Sequence, residues 1–426
     1  MLINLLAFMD VMKSIGSLLM AIVIFLVMIT VHEFGHYVAG KILGFKINEF
    51  SIGFGPAIFK KRSKKTGELF ALRVIPLGGY CAFDGEDEVE TSETEEVPFE
   101  EVKNIEVSEN SGGMVETSVE NEVKEENYPE PKGERFNDQA PWKRIIVLVA
   151  GATMNYVLAL LLIITMFACL GRPVYRIEKA VPGADASQGS VETYETGLKT
   201  GDVILEIDGK KIYMITDCID GLNGKKKGET VELLILREGE EQTLKIELFE
   251  DATAKNMSDN SSVFFSLGIA YREEVVNEDG TTQMKVTRGG ALSSVTVREG
   301  FFETIGNSFV YSFKVGGMVL RSLGELLTGK IGIDAMGGPI TTITMTAEAA
   351  SSSMLSFLNI AAFIGVNLAV FNLLPVPALD GCKVVFCIIE WIRKKPVNRK
   401  VEAMIHFGGI IFLFGFAILV DILQLF

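Results

Sequence analysis

The sequence predicts a multi-pass α-helical membrane protein with four transmembrane helices, a β-hairpin and an inserted mainly-β domain. Four apolar runs are each long enough to cross a bilayer, which takes about 20 helical residues. The chain of 426 residues is 48% hydrophobic, which is too apolar for an ordinary soluble enzyme. Between the second and third runs, strand-like segments bounded by Gly-containing turns indicate a separate β-rich domain.

The first apolar run, Ile15–His36, ends in a His-Glu-Phe-Gly-His motif. His32 and His36 are four residues apart, so both rings project from one face of a helix and can share a metal ion. Glu33 has the position of the carboxylate that takes a proton from activated water in zinc peptidases. Only three histidines occur in the chain, and titratable rings at membrane depth are costly unless they have a function. We therefore predict a metal site at the end of a retained transmembrane helix.

The segment 41–83 predicts a hairpin of two short strands, around 45–53 and 69–75, each ended by Gly and Pro residues. Its basic side chains indicate the cytoplasmic side of the membrane. They are Lys41, Lys46, Lys60, Lys61, Arg62, Lys64, Lys65 and Arg73. The first helix is then expected to begin outside and to carry its metal motif near the cytoplasm.

Residues 84–135 are rich in Glu, Ser, Thr and Val and have few large apolar side chains. Such a segment buries too little surface to offset its ordering entropy, so we expect a disordered acidic insert. An acidic docking arm for a basic partner is the alternative. The net charge of −15, much of it in this insert, argues against nucleic-acid binding, which needs a basic face. The five scattered cysteines contain no CxxC pair and predict neither disulfides nor a thiolate metal site.

The second span is predicted at Ile145–Leu170, with Trp142, Lys143 and Arg144 as an interfacial anchor on the cytoplasmic side. Asn155 lies inside this span. An Asn in a membrane helix commonly joins helices through hydrogen bonds, and a place near the metal or the substrate backbone is the alternative.

The stretch that follows the second span is soluble and strand-rich. The run Gly197–Gly209, GLKTGDVILEIDG, has a strand between two turns, and Val231–Arg237 and Thr243–Leu248 predict further strands. This stretch resembles a PDZ domain of the bacterial protease type, in which an extended peptide adds to a sheet edge. An unusual spacer, Ser187–Glu195, leaves the binding groove undefined. One span away from the cytoplasmic end, the domain is expected outside the membrane.

The remaining elements return to the membrane. Phe301–Leu327 predicts an amphipathic helix along the membrane surface, with an ordinary core helix as the alternative. Leu355–Leu374 predicts the third span and Ile405–Phe426 the fourth, with a basic cytoplasmic loop between them. The third span leads into the sequence NLLPVPALDG, whose prolines break the helix just before Asp380.

The third metal ligand has several candidates. Glu49, Glu68 and His406 are conceivable, but Asp380 is favoured because it lies at the same depth as the histidines, at a helix break between apolar segments. Two imidazoles and a carboxylate leave a fourth position for water, which is the open arrangement of catalytic zinc.

These motifs together resemble the site-2 protease family, and more narrowly the bacterial regulator-of-sigma-E protease branch with a single PDZ domain. The motifs that carry the resemblance are HEFGH at 32–36, FSIGFGP at 50–56, IPLGGY at 75–80, the PDZ-like insertion and NLLPVPALDG at 372–381. The match covers nearly the whole chain except the acidic insert. Cys382 stands where the family often has a second Gly, and Ala152 where it often has Pro.

The resemblance implies zinc held by His32, His36 and Asp380, with Glu33 as general base and acid. It implies that the hairpin is a membrane-associated β-loop that presents substrate as an added strand, and that Asn372 helps to hold the substrate. The implied reaction is the second cut of a single-pass membrane protein, such as an anti-sigma factor or a signal-peptide remnant. A site-1 protease would have trimmed that substrate outside the membrane first.

The expected location is the inner or plasma membrane of the cell, with the lipid bilayer as a partner and no nucleic acid. Two other classes are weighed: a non-proteolytic PDZ-containing membrane scaffold, and a metal transporter. A scaffold has no use for a general base at Glu33, and a transporter does not explain the PDZ-like domain.

We predict eight divisions of the chain. They are 1–40, the first helix with HExxH; 41–83, the hairpin; 84–135, the acidic insert; 136–171, the second helix; 172–290, the PDZ-like domain; 291–353, the interfacial helix and linker; 354–392, the third transmembrane segment with the LDG motif; and 393–426, the basic loop and fourth helix.

Overall fold

The structure, a computed structural model, describes residues 2–86, 128–178, 197–248, 250–254, 261–268, 271–276, 282–287, 292–333 and 337–425. Its helices are α1 (Leu2–Leu43), α2 (Pro141–Leu170), α3 (Ile215–Leu222), α4 (Ser261–Ser266), α5 (Phe301–Leu327), α6 (Pro339–Ser352), α7 (Met354–Asn372), α8 (Asp380–Arg393) and α9 (Arg399–Leu425). Its strands are β1 (Ile47–Arg62), β2 (Leu69–Phe83), β3 (Arg172–Ile177), β4 (Val203–Ile207), β5 (Lys210–Lys211), β6 (Thr230–Arg237), β7 (Glu240–Glu247), β8 (Tyr271–Val276), β9 (Thr282–Thr287) and β10 (Leu292–Val297).

Four of the described helices are long and apolar enough to cross a membrane. The spans are Ser14–Leu43 in α1, Pro141–Leu170 in α2, Met354–Asn372 in α7 and Arg399–Gln424 in α9. Much of their apolar surface is exposed, which suits helices that face lipid rather than water. Each of the four predicted spans thus coincides with a helix that is long and apolar enough to cross a membrane, as expected for a multi-pass helical membrane protein.

The chain divides into two compact units. One contains Met1–Met28, Ala152–Asn372 and Phe414–Phe426, and the other contains Ile29–Gly151 and Leu373–Leu413. The second unit holds the histidine motif, the β1–β2 sheet, the start of α2, and α8. The first unit holds the strand-rich domain and α5 to α7.

The predicted hairpin is a more folded sheet than two short strands. The middle of β1, residues 49–52, is paired on both sides: Ile52 lies opposite Gly79 on one side and opposite Leu72 on the other. Residues 59–62 pair in turn with 69–72, so the segments lie in the order 59–62, 69–72, 49–52 and 79–83. The glycines that were expected to end the strands bend them instead. Gly53 has φ 86°, a conformation that favours glycine, and a Cβ there would come within 2.7 Å of the Ile75 carbonyl oxygen.

An apolar core joins this sheet to α1, α2 and α8 in the second unit. Three phenylalanines pack in tilted and edge-to-face contacts at its centre, with ring centroids 5.4–5.6 Å apart. The buried members of this core are Phe45, Ile47, Cys81, Phe83, Phe136, Val147, Leu148 and Cys387. The sheet is thereby fixed against the helices that carry the histidine motif and Asp380.

Arg144 differs from its predicted role as an interfacial anchor. Its side chain is 1% exposed, and its Nη2 donates to Glu390 Oε1 of α8 at 2.5 Å. A buried guanidinium needs such a partner, because an unpaired charge in an apolar interior is costly. Arg144 thus ties the beginning of α2 to α8.

The strand-rich domain of the first unit is a mixed α/β module with one main sheet. The strands follow the order β10-β3-β4-β6-β7, and β5 pairs with β4. Asp208 and Gly209 have φ 47° and 71° between β4 and β5, as expected for the predicted tight Asp-Gly turn. The predicted spacer 187–195 lies outside the described residues. Helix α4 and the antiparallel pair β8 and β9 follow β7 along the chain.

Helix α5 has the predicted bounds and an unusual distribution of side chains. Its buried face carries mainly small and polar residues, among them Asn307, Ser308 and Ser312. Tyr311, Val315 and Val319 are also buried, but the phenylalanines on the other face are exposed, with Phe302 85% and Phe313 68% accessible. A core helix would bury these aromatic rings, so the exposed face supports the interpretation as a membrane-surface helix.

Candidate metal centre

The two histidines of α1 lie side by side, as their spacing predicts. His32 Nε2 and His36 Nε2 are 3.2 Å apart. His36 Nδ1 is 2.8 Å from the backbone oxygen of Val147 in α2. A carbonyl oxygen only accepts, so the proton of the neutral ring lies on Nδ1 and the Nε2 lone pair points toward His32. Val147 therefore orients His36 as a metal ligand is normally oriented, through its other ring nitrogen.

Asp380 completes a cluster of three donor atoms. Its Oδ2 lies 3.1 Å from His32 Nε2 and 3.3 Å from His36 Nε2. Donors about 2.05 Å from a tetrahedral ion are separated by about 3.3 Å, so the three distances fit a common zinc ion. Three lone pairs that face one another this closely repel unless a metal ion or a proton lies between them. Among the described residues this is the one His/Cys/Asp/Glu cluster that could hold a metal.

Two glycines let α1 and α2 approach at this cluster. A Cβ on Gly35 would come within 2.4 Å of the Ala150 carbonyl oxygen, so only glycine allows this helix contact. A Cβ on Gly151 would lie 2.4 Å from His36 Nε2 and 2.8 Å from His32 Cε1. The backbone of α2 is therefore one wall of the metal centre, which the sequence analysis did not identify.

Replacing Gly151 by Ala is expected to weaken metal binding about 10- to 100-fold, the usual effect of disturbing groups that support metal ligands. The new methyl group would occupy space taken by the His36 ring, and the bond to Val147 limits how far that ring can move. Zinc affinity measured by chelator competition tests this. Gly415→Ala in α9 is the control, because a Cβ there meets nothing within 4 Å. Equal zinc affinity in the two variants would show that the α2 backbone at Gly151 does not border the metal centre.

Glu33 lies between the histidines and β2. A Cβ on Gly79 would be 3.1 Å from Glu33 Cγ, and the backbone amide of Cys81 donates a hydrogen bond to the Glu33 carboxylate. Residues 79–83 are an outer segment of the β1–β2 sheet, with no further strand beside them among the described residues. A sheet edge thus lies directly beside the predicted general base.

The loop before Asp380 is held by α9. Ala378 has φ 80°, which costs a non-glycine residue about 1–3 kcal/mol, and its N–H donates to His406 Nδ1 at 3.2 Å. Gly409 lies against Pro377, where a Cβ would come within 2.4 Å. Gly381 similarly packs on the Leu374 carbonyl oxygen. These contacts fix the point at which α8 begins, and therefore the position of Asp380.

The three alternative ligands have other partners. Glu68 is buried and binds Lys41 at 2.5 Å and Tyr37 at 3.1 Å. Glu49 accepts from Arg73 at 2.7 Å and from Tyr80 at 2.8 Å, and burial together with this hydrogen bond raises the pKa of Tyr80. His406 holds the loop at Ala378. All three therefore lie outside the cluster, and the geometry favours Asp380.

Two asparagines singled out in the sequence lie in the first unit. Asn155 is buried in α2, and Asn372 is the last residue of α7. The role of Asn372 in substrate binding stays a prediction.

Two imidazoles and a carboxylate, with a glutamate beside the first imidazole, form the donor set of zinc peptidases. Here they lie on and between helices that are apolar enough to cross a bilayer. The fold and the site thus define a membrane-bound metallopeptidase.

Comparison with known proteins supports this class of enzyme. The model of Peptidase family M50 matches residues 20–416, and the chain belongs to this family of site-2 proteases. It is 29% identical to zinc metalloprotease RasP of Bacillus licheniformis, over 92% of this chain and 94% of that protein. It is 28% identical to the regulator of sigma-W protease RasP of Bacillus subtilis, over 94% of this chain and 96% of that protein.

The comparisons decide between enzyme and scaffold: the chain is a zinc metalloprotease. Among solved structures, the PDZ domain of the SdrC-like protein from Listeria monocytogenes matches 27% of this chain and 86% of its own, at 21% identity and a TM-score of 0.13.

Proposed function

We propose that His32, His36 and Asp380 hold the zinc ion, and that Glu33 is the general base and acid of peptide hydrolysis within the membrane. The observation that carries this is the set of donor separations, 3.1, 3.2 and 3.3 Å, beside a glutamate that is not itself in the cluster. When bound, zinc supplies a Lewis acid that activates water and polarises a carbonyl group.

The residues around the metal centre have separate roles in the proposed reaction. Val147 keeps the His36 proton on Nδ1, so that Nε2 stays available for the metal. Glu33 takes a proton from the attacking water and gives it to the leaving amine, which requires one carboxylate that reaches both. The Cys81 amide donates a hydrogen bond to this carboxylate and orients it.

The sheet edge at 79–83 suits an extended substrate. A peptide bond inside a helix is shielded by its neighbours, so a transmembrane segment must unwind before cleavage, and its freed backbone groups need partners in the bilayer. Strand addition at residues 79–83 would supply such partners directly beside Glu33. We propose this edge as the substrate-binding surface, together with Asn372 as a substrate contact.

The proposed substrate is a single-pass membrane protein already trimmed outside by a site-1 protease, such as an anti-sigma factor or a signal-peptide remnant. The name of the Bacillus subtilis relative, a regulator of sigma-W protease, supports the first of these. We also propose the inner or plasma membrane as the location, with the metal centre near the cytoplasmic side and the PDZ-like domain outside. The basic residues of 41–83 and of the loop after α8 support this orientation. We also propose the eight divisions of the chain, with one correction: the ends of the predicted disordered insert, residues 84–86 and 128–135, are folded onto the sheet by backbone hydrogen bonds such as Asp84 N to the Lys46 oxygen and Lys46 N to the Glu134 oxygen.

The proposal is tested with full-length protein purified in detergent and a single-pass reporter truncated on its outer side. We expect about one zinc per chain and a cut within the membrane segment of the reporter, located by mass spectrometry of the new termini. A protein that holds no zinc and leaves the reporter intact would overturn the proposal. A cut outside the membrane segment would overturn its intramembrane part.

Removing residues 87–127 and joining the ends by a short Gly-Ser linker is expected to leave cleavage within about twofold of wild type, because the contacts described at the metal centre and in the sheet are made by residues outside this segment. The ends of the insert must stay, since they are tied to the sheet. Phe136 N donates to the Asp84 oxygen at 2.8 Å, and Glu134 N donates to the Gly44 oxygen at 3.0 Å.

The matched variant removes all of 84–135 and is expected to lose folded protein as well as activity. Zinc content and thermal melting of both variants are the measurements. Loss of cleavage by the shorter deletion in a folded, zinc-loaded protein would show that the insert is more than a spacer.

A further inference from the structure

The tip of the β1–β2 sheet, residues 58–70, has no role in the proposed peptidase chemistry. Its turn is well fixed: Ser63 Oγ accepts from the backbone N–H groups of Lys65 and Thr66 at 3.3 and 3.2 Å, and Ser63 N donates to the Glu68 oxygen at 2.9 Å. Glu68 is itself anchored on α1 by Lys41. The tip is therefore a turn fixed by hydrogen bonds and an ion pair.

This tip is strongly cationic. Five of its six consecutive residues from 60 to 65 are basic, and all five side chains are exposed to solvent. They are Lys60, Lys61, Arg62, Lys64 and Lys65. Charges of one sign this close together repel, so their arrangement on a fixed turn favours an anionic partner.

The cations surround a concave site. A cavity of about 750 Å³ lies at the tip, between these basic residues and three aromatic side chains, Phe59, Phe70 and Tyr128. The guanidinium carbon of Arg62 lies 5.9 Å from the centre of the Tyr128 ring. A cavity of this size accommodates a phosphate with its organic substituent, rather than an inorganic ion alone.

The same tip exposes large apolar side chains beside the cations. Ile58 is 67% and Phe59 58% accessible, and Val74 of the neighbouring strand is 55% accessible. A free phosphate or an acidic peptide would pair with the cations and leave this apolar surface in water. A lipid surface satisfies both groups, with acyl chains against the apolar residues and head groups against the cations.

We propose that the tip of the β1–β2 sheet is a binding site for the phosphate head groups of anionic phospholipids. The head group lies in the cavity formed by residues 59–65, Phe70 and Tyr128, and Ile58 and Phe59 enter the acyl region. The opposite edge of the same sheet, 79–83, lies against Glu33. Lipid bound at the tip would therefore stabilise the position of the sheet, and the other edge of this sheet lies beside the general base. The site itself does not depend on the proposed zinc chemistry.

The test uses full-length protein in vesicles, with a tryptophan reporter at the tip. Phe59→Trp is introduced into a Trp142→Phe/Trp391→Phe background, which removes both native tryptophans. Quenching by brominated phosphatidylglycerol is compared with quenching by brominated phosphatidylcholine at equal mole fraction. We expect the anionic lipid to quench at least about fivefold more effectively, the effect of one basic side chain at an anionic surface.

A charge variant and a matched control identify the residues. Lys60→Gln/Lys61→Gln/Lys65→Gln is expected to abolish the preference for phosphatidylglycerol. Arg393→Gln/Lys395→Gln/Lys400→Gln removes the same charge around the connection between α8 and α9 and is expected to keep the preference. Zinc content verifies folding of both. Competition by 50 mM inorganic phosphate distinguishes the sources, because a site for lipid retains the preference and a site for free phosphate loses it.

Three results would overturn the proposal. The first is equal quenching by the two lipids in wild-type background, and the second is a preference that survives in the tip variant. The third is a preference that appears only after deletion of the acidic residues 87–127, which would assign the tip to this segment of the chain instead of lipid.

Discussion

Glu33→Gln is expected to keep the zinc ion and to lose cleavage by about 10²- to 10⁴-fold, the usual contribution of a general acid–base residue. Gln has nearly the same size as Glu and leaves the three donor atoms untouched, because Glu33 is adjacent to His32 but outside the cluster. An amide cannot take a proton from water at neutral pH or return one to the leaving amine. The expected signature is therefore normal metal content with failed chemistry.

The measurement pairs zinc analysis with the rate of reporter cleavage at saturating substrate, so that a change in kcat is separated from one in KM. Glu240→Gln is the control, because it makes the same change of Glu to Gln at an exposed position of strand β7. A Glu33→Gln rate near that of the control would remove Glu33 from the mechanism. Loss of zinc in Glu33→Gln would instead make this residue a ligand.

The sequence predicts the histidine pair well because its geometry is local. A spacing of four residues on a helix brings two side chains together whatever the rest of the chain does, and His32 and His36 lie 3.2 Å apart at Nε2. Asp380 is a different case, since a helix break and a common depth in the bilayer indicate it without any local contact. The choice between Asp380, Glu49 and Glu68 needs the tertiary partners of each, which no local pattern contains.

Close backbone approach has no sequence signal of its own. Gly151 and Gly35 look like ordinary small residues of membrane helices, and only the fold shows that a methyl group on Gly151 would reach His36. Arg144 was expected at the interface for the same reason: its partner, Glu390, lies far along the chain on α8.

The β1–β2 sheet and the shorter helices show where local signals mislead. Gly53 and its neighbours are strand breakers by composition, yet here they bend strands that continue, because pairing on both sides of residues 49–52 stabilises the curved sheet. Helices α3, α4 and α6 were not predicted. Six residues in α4 are too few for a periodic pattern, and α6 follows a Gly-Gly-Pro sequence in which Pro339 begins the helix instead of ending one.

Asp380→Ala is expected to lower zinc affinity at least about 100-fold and to lose cleavage with it, because the two imidazoles then lack the anionic donor of the set. His406 is not expected to replace the carboxylate. Its Nδ1 accepts the Ala378 N–H that holds the loop before α8, so moving the ring to the metal would release the loop it stabilises.

His406→Ala is the discriminating variant. It keeps all three proposed donors and removes only the acceptor at Ala378, so we expect full zinc content with a reduced rate, since Asp380 is positioned less firmly. Zinc affinity of the two variants is measured by chelator competition, and cleavage by the reporter. If Asp380→Ala retained zinc while His406→Ala lost it, the third ligand would be His406, and the 3.1 and 3.3 Å contacts of Asp380 would have to be an ion pair with the imidazoles rather than part of a metal site.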